Sequence, residues 1–258
     1  MIDLHTHILP QVDDGPSDWE DALALIRQGI GDGIQGAVCT SHVLNKLDDD
    51  LEGKFIYRFD QLREMAAKHH PDFALWLGSE LHILADFDPM SRTATINGNK
   101  KYLMIEFPMN EIPADADDKL FQLTLNGFKP ILVHPERNAR ILGRPEKLFE
   151  FVQRGLLVQV NAGSINGVFG RPVKKLAADM IDRNLVHFIA SDCHQVRERP
   201  MRLSEAFRTV KKRWGGLRAR TLFEDNPMAA VQGDSVAAPE PESFNIRKRK
   251  SIFSFITG

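Results

Sequence analysis

The chain has 258 residues, of which 43% are hydrophobic, and this is enough apolar material for a sizeable core. The composition therefore excludes a chain that is intrinsically disordered over most of its length. With 33 basic and 35 acidic residues, the formal net charge of -2 provides no overall field that would attract nucleic acid or an anionic membrane. Any anion-binding site must be local.

Cysteine content and hydropathy predict a cytoplasmic protein. Two cysteines, Cys39 and Cys193, are too few for a disulfide framework or a four-thiolate zinc site. No apolar run approaches the roughly 18 residues of a membrane-spanning helix. Residues 1–5 lack the basic and apolar regions of a signal peptide.

Seven short apolar runs, many of them β-branched, recur along the chain and are predicted to be strands. They are Ile2–His5, Ala37–Cys39, Ala74–Leu77, Tyr102–Phe107, Pro130–Val133, Leu157–Val160 and Val186–Ala190. Helical patterns separate most of them, and this alternation predicts an α/β fold with a parallel sheet. The sheet could be open and doubly wound or closed as a barrel, and seven units favour a barrel.

Helix signals are clear at several positions between the strands. Apolar residues within 173–181 and 203–214 follow the spacing i, i+3, i+4, i+7, which is typical of an amphipathic helix. Ser17 and Glu20 are spaced as a capping box, which predicts the start of the first helix, and Gly31 is placed to end it.

The composition changes near Gly233, so we predict a single domain over residues 1–232. Residues 233–258 then form a flexible linker and a basic, apolar C-terminal tail. The tail contains Arg247–Lys250 followed by Ile252, Phe253 and Phe255. This pattern suits an anionic membrane surface or a groove on a partner, and it suits a disordered solubilising end equally well.

The first chemical signal is a pair of histidines at the end of the first predicted strand. His5 and His7 are two residues apart, and the two-residue period of a strand directs both side chains to the same face. Two imidazoles that converge in this way can hold one metal ion.

Five of the other six strands also lead into a histidine or an acidic residue. These residues are His42, Glu80, Glu106, His134, Asp192 and His194, and Asp13 and Asp14 follow the first strand closely. The carboxyl ends of parallel strands meet at one mouth of an α/β barrel. Any one of these carboxylates could be an ordinary loop or capping residue, but the set of them predicts a joint site.

Imidazoles and carboxylates without thiolates suit manganese, zinc, iron or magnesium. The number of candidate ligands exceeds what one ion needs and indicates two or three. Adjacent metal ions activate water and stabilise in-line displacement at phosphorus, which points to hydrolysis of phosphate esters. Arg137 and Arg199 follow two ligand-bearing strands and are placed to hold phosphoryl oxygens.

At these positions the sequence resembles the polymerase and histidinol phosphatase (PHP) superfamily. Within it, the chain is similar to the bacterial PHP-type protein-tyrosine phosphatases of capsule and exopolysaccharide loci. The segments that carry the resemblance are Met1–His7, Val12–Pro16, Thr40–His42, Gly78–Glu80, Ile105–Phe107, His134–Arg137, Ala190–His194 and Asp225–Pro227. They occur in order over residues 1 to about 230.

The resemblance implies a distorted (β/α)7 TIM-like barrel, the PHP fold, with a centre of three Mn²⁺ ions. It assigns the first ion to His5, His7, Glu80 and Asp192, the second to Glu80, Glu106 and His134, and the third to Asp14, His42 and His194. Arg137 and Arg199 match the phosphate-binding arginines of the family. The implied reaction is attack of a metal-bound hydroxide on phosphotyrosine, and the implied partner is a membrane-bound tyrosine kinase that controls polysaccharide export.

Three other interpretations stay open at this point. Cys193 and Arg199 fit the Cys-Xaa5-Arg spacing of cysteine-dependent tyrosine phosphatases, although the intervening loop has no glycine. Another phosphoesterase of the superfamily, acting on histidinol phosphate or a nucleic acid, would use the same metal chemistry. A regulator that only docks on its kinase would need no metal chemistry. One departure from the family is the acidic stretch Asp48–Asp50, which would repel an acidic substrate if it lined the path.

Overall fold

The computed structural model describes residues 1–244 and contains all seven predicted strands. They are β1 (Ile2–Thr6), β2 (Gly36–Val43), β3 (Ala74–His82), β4 (Tyr102–Glu106), β5 (Lys129–Val133), β6 (Leu157–Asn161) and β7 (Phe188–Ala190). Each strand pairs in parallel with the next, so the order in the sheet is the order in the chain. The parallel α/β fold is therefore confirmed.

The sheet closes on itself next to the carboxyl end of β1. Thr6 forms a parallel bridge with Cys193, just beyond β7. The backbone N–H of His7 donates to the carbonyl of Cys193 at 2.9 Å, and the N–H of Asp192 donates to the carbonyl of His5 at 2.9 Å. These bonds join β1 to the segment after β7 and complete a distorted (β/α)7 barrel of the TIM-like type.

The inside of the barrel is apolar at one end and polar at the other. The apolar part is formed by Leu4, Val38, Ile96, Tyr102, Met104, Ile131, Val133, Leu157, Phe188, Ala190, Ala230 and Val231. Because strand side chains alternate, Glu106 shares the inward face with Met104, and Asp192 follows Ala190 by the same interval. The inward-facing side chains are thus apolar near the amino ends of the strands and polar at their carboxyl ends, where they form the mouth.

Helices cover the outside of the barrel and complete a second, larger core against the outward faces of the strands. Their bounds are α1 (Trp19–Gly31), α2 (Asp49–His69), α3 (Ala116–Leu125), α4 (Ala139–Gly143), α5 (Glu146–Gln153), α6 (Ala162–Asn166), α7 (Arg171–Asp182), α8 (Ser204–Trp214), α9 (Gly216–Arg220) and α10 (Asn226–Gln232). The helices predicted over 173–181 and 203–214 correspond to α7 and α8.

The predicted cap of α1 was wrong by one residue. The N-cap is Asp18 rather than Ser17, and its carboxylate accepts a hydrogen bond from the N–H of Asp21 at 2.9 Å. Aspartate is as good a cap as serine because its oxygen accepts equally well from a free N–H of the first turn. The helix ends at Gly31, as predicted.

Residues 234–244 contain no helix or strand and run along the amino-terminal end of the barrel. The Tyr102 hydroxyl donates to the carbonyl of Asp234, and the Asn226 side chain exchanges two hydrogen bonds with the backbone of Ala237 at 3.0 and 2.9 Å. The division into a 1–232 domain and a 233–258 linker and tail stays a prediction. The basic stretch Arg247–Lys250 and the apolar residues after it lie outside the described residues.

None of the helices within residues 1–244 combines the length and the apolar character that crossing a membrane requires.

His187, which precedes β7, is buried and lies far from the mouth. Its Nδ1 accepts a hydrogen bond from the N–H of Val158 at 3.1 Å. Burial, with a smaller contribution from Arg218, lowers the pKa of His187 to about 3. Below pH 6.5 the unfolded chain therefore takes up a proton that the folded chain cannot bind, and stability falls as the pH falls.

We predict that His187→Asn, which keeps an oxygen acceptor for Val158, makes stability less dependent on pH. The free energy of unfolding of the wild type falls between pH 6.5 and 5.5, and in the variant this fall should be about 1 kcal/mol smaller. One titrating group contributes at most about 1.4 kcal/mol per pH unit. Urea unfolding at the two pH values measures this. The exposed His69→Asn is the matched control, and an equal slope in all three proteins would contradict the prediction.

Candidate metal centre

The structure brings all nine predicted ligands and both arginines to the mouth of the barrel. His5, His42, Glu80 and Glu106 lie within strands near their carboxyl ends. The remaining residues, His7, Asp14, His134, Arg137, Asp192, His194 and Arg199, lie in segments that follow strands. β2 and β3 are longer than the sequence predicted, so His42 and Glu80 belong to the strands themselves. Six of the seven strands contribute, and β6 provides none of the predicted ligands.

Glu80 occupies the centre of the cluster and is fully buried. Its Oε2 lies 3.3 Å from His5 Nε2, 3.1 Å from His7 Nε2 and 2.9 Å from His42 Nδ1. Its Oε1 lies 2.9 Å from His134 Nε2. Burial by itself raises the pKa of Glu80, but the surrounding histidines outweigh it and hold the pKa well below the usual range.

A second group lies on the outer side of the first. His194 Nε2 is 3.2 Å from Asp14 Oδ1, and His42 Nε2 is 3.6 Å from the same oxygen. The rings of His7 and His194 stack with centroids 3.9 Å apart. Asp14 is mostly exposed, whereas His194 is buried, so this group faces the opening of the mouth.

Three sets of side chains have ligand atoms close enough to hold a metal ion, within 4.8 Å of one another. The sets are His5, His7 and Glu80; His42, Glu80 and Glu106; and His7, Asp14, His42 and His194. The resemblance implied the same neighbourhoods with a different division, since it paired His134 rather than His42 with Glu80 and Glu106. His134 also reaches Glu106, with 3.7 Å between Nε2 and Oε1.

Several buried ligand atoms lack a hydrogen bond, and this fits metal binding. Asp192 Oδ2 accepts hydrogen bonds from Asn161 at 2.6 Å and Arg137 at 3.1 Å, and it forms an ion pair with Arg199 Nη2 at 2.6 Å. Among residues 1–244, its Oδ1 has no hydrogen-bond partner. Glu80 Oε2 and His194 Nε2 approach their neighbours at ion-pair distance but also lack a hydrogen bond. Buried oxygen and nitrogen atoms are costly when unsatisfied, so atoms of this kind grouped at one mouth suit a divalent cation.

Three histidines have one ring nitrogen held by the protein, and this determines which nitrogen faces the centre. His5 Nδ1 contacts Gln159 Oε1 at 2.9 Å, His7 Nδ1 contacts Asp13 Oδ2 at 2.9 Å, and His194 Nδ1 contacts the carbonyl of Asp192 at 3.1 Å. An acceptor at Nδ1 requires the proton there, which leaves the Nε2 lone pair free to bind a metal.

Asp13, next to the predicted ligand Asp14, orients the first loop. Its carboxylate contacts His7 and accepts from the N–H groups of His42 and Gly15 at 3.1 and 3.0 Å. Burial raises the pKa of Asp13, but these contacts outweigh it and the pKa is lowered. The loop is tight, because a Cβ at Gly15 would lie 2.2 Å from the carbonyl oxygen of His7. Only glycine permits this approach.

Without metal, the same contacts favour a protonated His7. Burial alone lowers the pKa of His7, but its hydrogen bond to Asp13 and the nearby charge of Glu80 outweigh burial and raise the pKa to about 10. Metal ligation requires the neutral ring at Nε2, so a cation bound here takes over the role of that proton.

Two predicted ligands have left-handed backbones. φ is 35° at His134 and 55° at Asp192, a region that non-glycine residues adopt at a cost of about 1–3 kcal/mol. Both are held by backbone hydrogen bonds, from His134 N–H to the carbonyl of Gln159 at 2.8 Å and from Asp192 N–H to that of His5. The bends turn both side chains into the mouth.

The end of β6 supplies the contacts that sequence reasoning missed. Gln159 binds His5, and its Nε2 donates to Asn161 Oδ1 at 2.9 Å. Asn161 in turn donates to Asp192, and its N–H donates to Glu136 Oε1 at 2.9 Å. Amides do not stand out as ligands, so only the inward position of residues 159 and 161 on a strand could have indicated this role.

The two arginines lie at the rim, and each uses few of its N–H donors in contacts within the protein. Arg137 and Arg199 each use one terminal nitrogen on Asp192, and their side chains are 20% and 28% exposed. The Cζ of Arg137 also lies 4.3 Å from the centroid of the Phe169 ring. A guanidinium has five N–H donors, so both partly exposed groups retain donors for an external anion.

Cys193 does not have the environment of a nucleophile. The side chain is fully buried, and burial, together with the nearby Asp3, raises the pKa of its thiol well above the usual value. A cysteine nucleophile needs an accessible thiolate. The structure therefore favours the interpretation of Cys193 as a small buried residue between Asp192 and His194.

Comparison with known proteins agrees with this geometry. A sequence profile for capsular polysaccharide synthesis proteins, CpsB/CapC, matches residues 1–232. The chain is 31% identical over 257 residues to the tyrosine-protein phosphatase YwqE of Bacillus subtilis. The alignment covers 99% of this chain and 100% of YwqE. It is 37% identical over 214 residues to CapC of Staphylococcus aureus, with 82% and 84% of the two chains covered.

A solved structure is also similar. It comes from work on YwqE of Bacillus subtilis and CpsB of Streptococcus pneumoniae, described as metal-dependent tyrosine phosphatases. It superposes with a TM-score of 0.85 at 28% identity and covers 94% of this chain and 99% of its own. The fold and the mouth define a (β/α)7 barrel of the metal-dependent hydrolase type. The chain belongs to the CpsB/CapC family of capsular polysaccharide synthesis proteins.

We predict that Gln159→Leu weakens the binding of Mn²⁺ roughly 10- to 100-fold, the usual cost of removing a group that orients a metal ligand. The substitution leaves His5 Nδ1 without its acceptor, so the ring is no longer held in one orientation. Calorimetric titration of metal-free protein measures the affinity, and circular dichroism checks the fold. The exposed Gln122→Leu is the control, and unchanged affinity in a folded Gln159→Leu protein would contradict the prediction.

Proposed function

We propose that this protein is a metal-dependent protein-tyrosine phosphatase. The observation that carries the proposal is the combination, at one mouth, of buried imidazoles and carboxylates with two partly exposed arginines. Metal ligands and phosphate-binding cations are the two requirements for hydrolysing a phosphate ester. The relatives named as tyrosine phosphatases support phosphotyrosine as the substrate.

We further propose that the site holds Mn²⁺, with three ions at full occupancy. The three neighbouring sets of ligand atoms support this number, and the mixture of oxygen and imidazole ligands suits manganese. The proposed ligands are His5, His7, Asp14, His42, Glu80, Glu106, His134, Asp192 and His194. Bound divalent ions would lower the pKa of water and neutralise charge on the phosphoryl group.

The residues of the chain have separate tasks in this proposal. Arg137 and Arg199 bind the phosphoryl oxygens and balance the charge that develops on them during displacement. Asp192 holds both guanidinium groups at the rim through its Oδ2. Phe169 packs against Arg137 and restricts its movement. These contacts place the two cations before the substrate arrives, so little reorganisation is needed.

The proposed physiological substrate is a phosphotyrosine protein, and the proposed partner is the membrane tyrosine kinase of polysaccharide synthesis. Membership of a capsular polysaccharide synthesis family supports this choice. We also propose that the protein acts in the cytoplasm. Its two cysteines are buried and unpaired, as is usual for proteins of a reducing compartment.

We predict that purified protein hydrolyses a phosphotyrosine peptide only with metal. Activity should be lost on chelation, return with Mn²⁺ to a maximum near three ions per chain, and survive thiol alkylation because Cys193 is buried. Phosphate release together with metal content by mass spectrometry measures this. Parallel assays use phosphoserine peptide, histidinol phosphate and a nucleic acid.

Each alternative outcome of that assay has a defined meaning. Activity that resists chelation but not alkylation would restore the cysteine mechanism. Preference for histidinol phosphate or a nucleic acid would indicate a different phosphoesterase, and no turnover despite bound Mn²⁺ would indicate a docking regulator.

We predict that Arg199→Ala lowers kcat/KM for phosphotyrosine about 100-fold or more, because removing one donor to a developing oxyanion typically costs that much. Arg137→Ala should act in the same direction. Arg197→Ala is the control, since Arg197 is exposed and two residues away. Metal content is measured in each variant to separate loss of phosphate binding from loss of metal, and an unimpaired, metal-loaded Arg199→Ala enzyme would refute the assignment.

A further inference from the structure

Two cavities adjoin on the β6–β7 side of the mouth. The inner cavity, of about 320 Å³, is lined by Asp192 and Arg199 at its catalytic end and by Asn166 and Arg208 further out. The outer cavity, of about 340 Å³, is lined by Ile165 and Thr209, which are adjacent in the chain to Asn166 and Arg208. Lys174 of the outer cavity approaches the carbonyl of Asn166, which lines the inner one, at 3.4 Å. We refer to the two adjoining cavities together as the groove, which extends from Arg199 towards α7 and α8.

The two halves of the groove differ in charge. The inner cavity has both signs, since Asp32, Asp192, Glu198 and Glu205 line it together with Arg199, Arg202 and Arg208. The outer cavity has four cations and a single acid. Its charged lining consists of Arg171, Lys174, Lys175, Arg213 and Asp179. In a chain with a net charge of -2, this is a local concentration of positive charge.

Part of that positive charge is not neutralised by the protein. Lys175 pairs with Asp179, and Arg213 pairs with Asp182 at 2.8 Å. Within residues 1–244, Arg171 and Lys174 have no acidic partner at ion-pair distance, and Lys174 Nζ only approaches the carbonyl of Asn166 at 3.4 Å. Both are exposed and free to pair with an external anion.

The β2 side of the mouth, two strands away from β7, has an acidic stretch. The acidic stretch Asp48–Asp50 follows β2, and Asp48 caps α2 by accepting from the N–H of Leu51 at 3.0 Å. β1 separates β2 from β7 around the barrel. A negatively charged chain that entered the mouth would be repelled on the β2 side and attracted on the α7–α8 side.

We propose that this groove docks an acidic segment of the substrate protein, next to the phosphotyrosine that enters the mouth. The phosphate lies at Arg199, and the carboxylates of the flanking chain pair with Arg171 and Lys174. Trp214, which also lines the outer cavity, provides an aromatic surface for the docked chain. The inference rests on the proposed phosphatase activity and adds a selection of substrates by flanking charge.

The test compares two phosphotyrosine peptides, one with flanking glutamates and one with glutamines at the same positions. The protein should prefer the glutamate peptide through a lower KM, and the preference should fall roughly 3- to 10-fold in Arg171→Gln/Lys174→Gln, the loss expected for two exposed ion pairs. Added salt should reduce the preference in the wild type. The control is Lys211→Gln/Lys212→Gln, which removes two exposed cations of α8 that do not line the groove.

The outcomes separate the groove from the activity. Equal kcat/KM for the two peptides, or an equal loss of preference in the control, would overturn the groove while the phosphatase stands. If no phosphotyrosine substrate is hydrolysed, the proposed function fails, and anisotropy with the unphosphorylated glutamate peptide still tests docking. Binding to anionic vesicles that requires Arg171 and Lys174, without preference for the glutamate peptide, would assign the surface to a membrane and overturn the proposal.

Discussion

The whole mouth depends on burying the carboxylate of Glu80 among imidazoles. An ionised carboxylate is costly to bury unless positive charge compensates it. Here histidines from three strand ends surround both oxygens. Because Glu80 lies on β3 and its partners come from β1, β2 and β5, the contacts also tie together parts of the barrel that are distant in sequence. The contacts of Glu80 therefore add side-chain links across the barrel to the backbone hydrogen bonds that close it.

The residues around Glu80 form two layers. The strand ends provide ligand atoms, and a second set of residues fixes their orientation, since Gln159 holds His5 and Asp13 holds His7. β6 contributes to the second set only. A strand without a metal ligand is thus as necessary to the centre as the strands that have one, because an imidazole that rotates freely presents its lone pair to the site only part of the time.

Asp192 contacts both the candidate metal ligands and the two arginines proposed to bind phosphate. One of its oxygens is occupied by Arg137, Arg199 and Asn161, and the other points to the histidines. This arrangement holds cationic groups next to ligands without repulsion between them. Beyond Arg199 the groove continues towards α7 and α8. The residue proposed to bind the phosphate therefore also lies at the start of the surface proposed to dock the substrate chain.

The sequence by itself determined the seven strands, the parallel α/β class and the identity of the residues at the mouth. Continuous apolar runs indicate strands when a parallel sheet is buried on both faces, and histidines such as His5 and His42 stand out at strand ends. The family resemblance added the closed (β/α)7 barrel and the division of the ligands among ions. The cap at Asp18 was missed by one residue, because Ser17 offers the same chemistry at the neighbouring position.

Only the tertiary structure decided how these residues are grouped. The left-handed bends at His134 and Asp192, the amide bridge from Gln159 through Asn161, and the groove between α7 and α8 depend on contacts between segments far apart in the chain. No local pattern encodes such contacts, since an amide or a lysine has the same appearance in a sequence whether it is solvated or faces a partner. The physical reason is that burial and pairing, which give these side chains their function, arise only when the barrel closes.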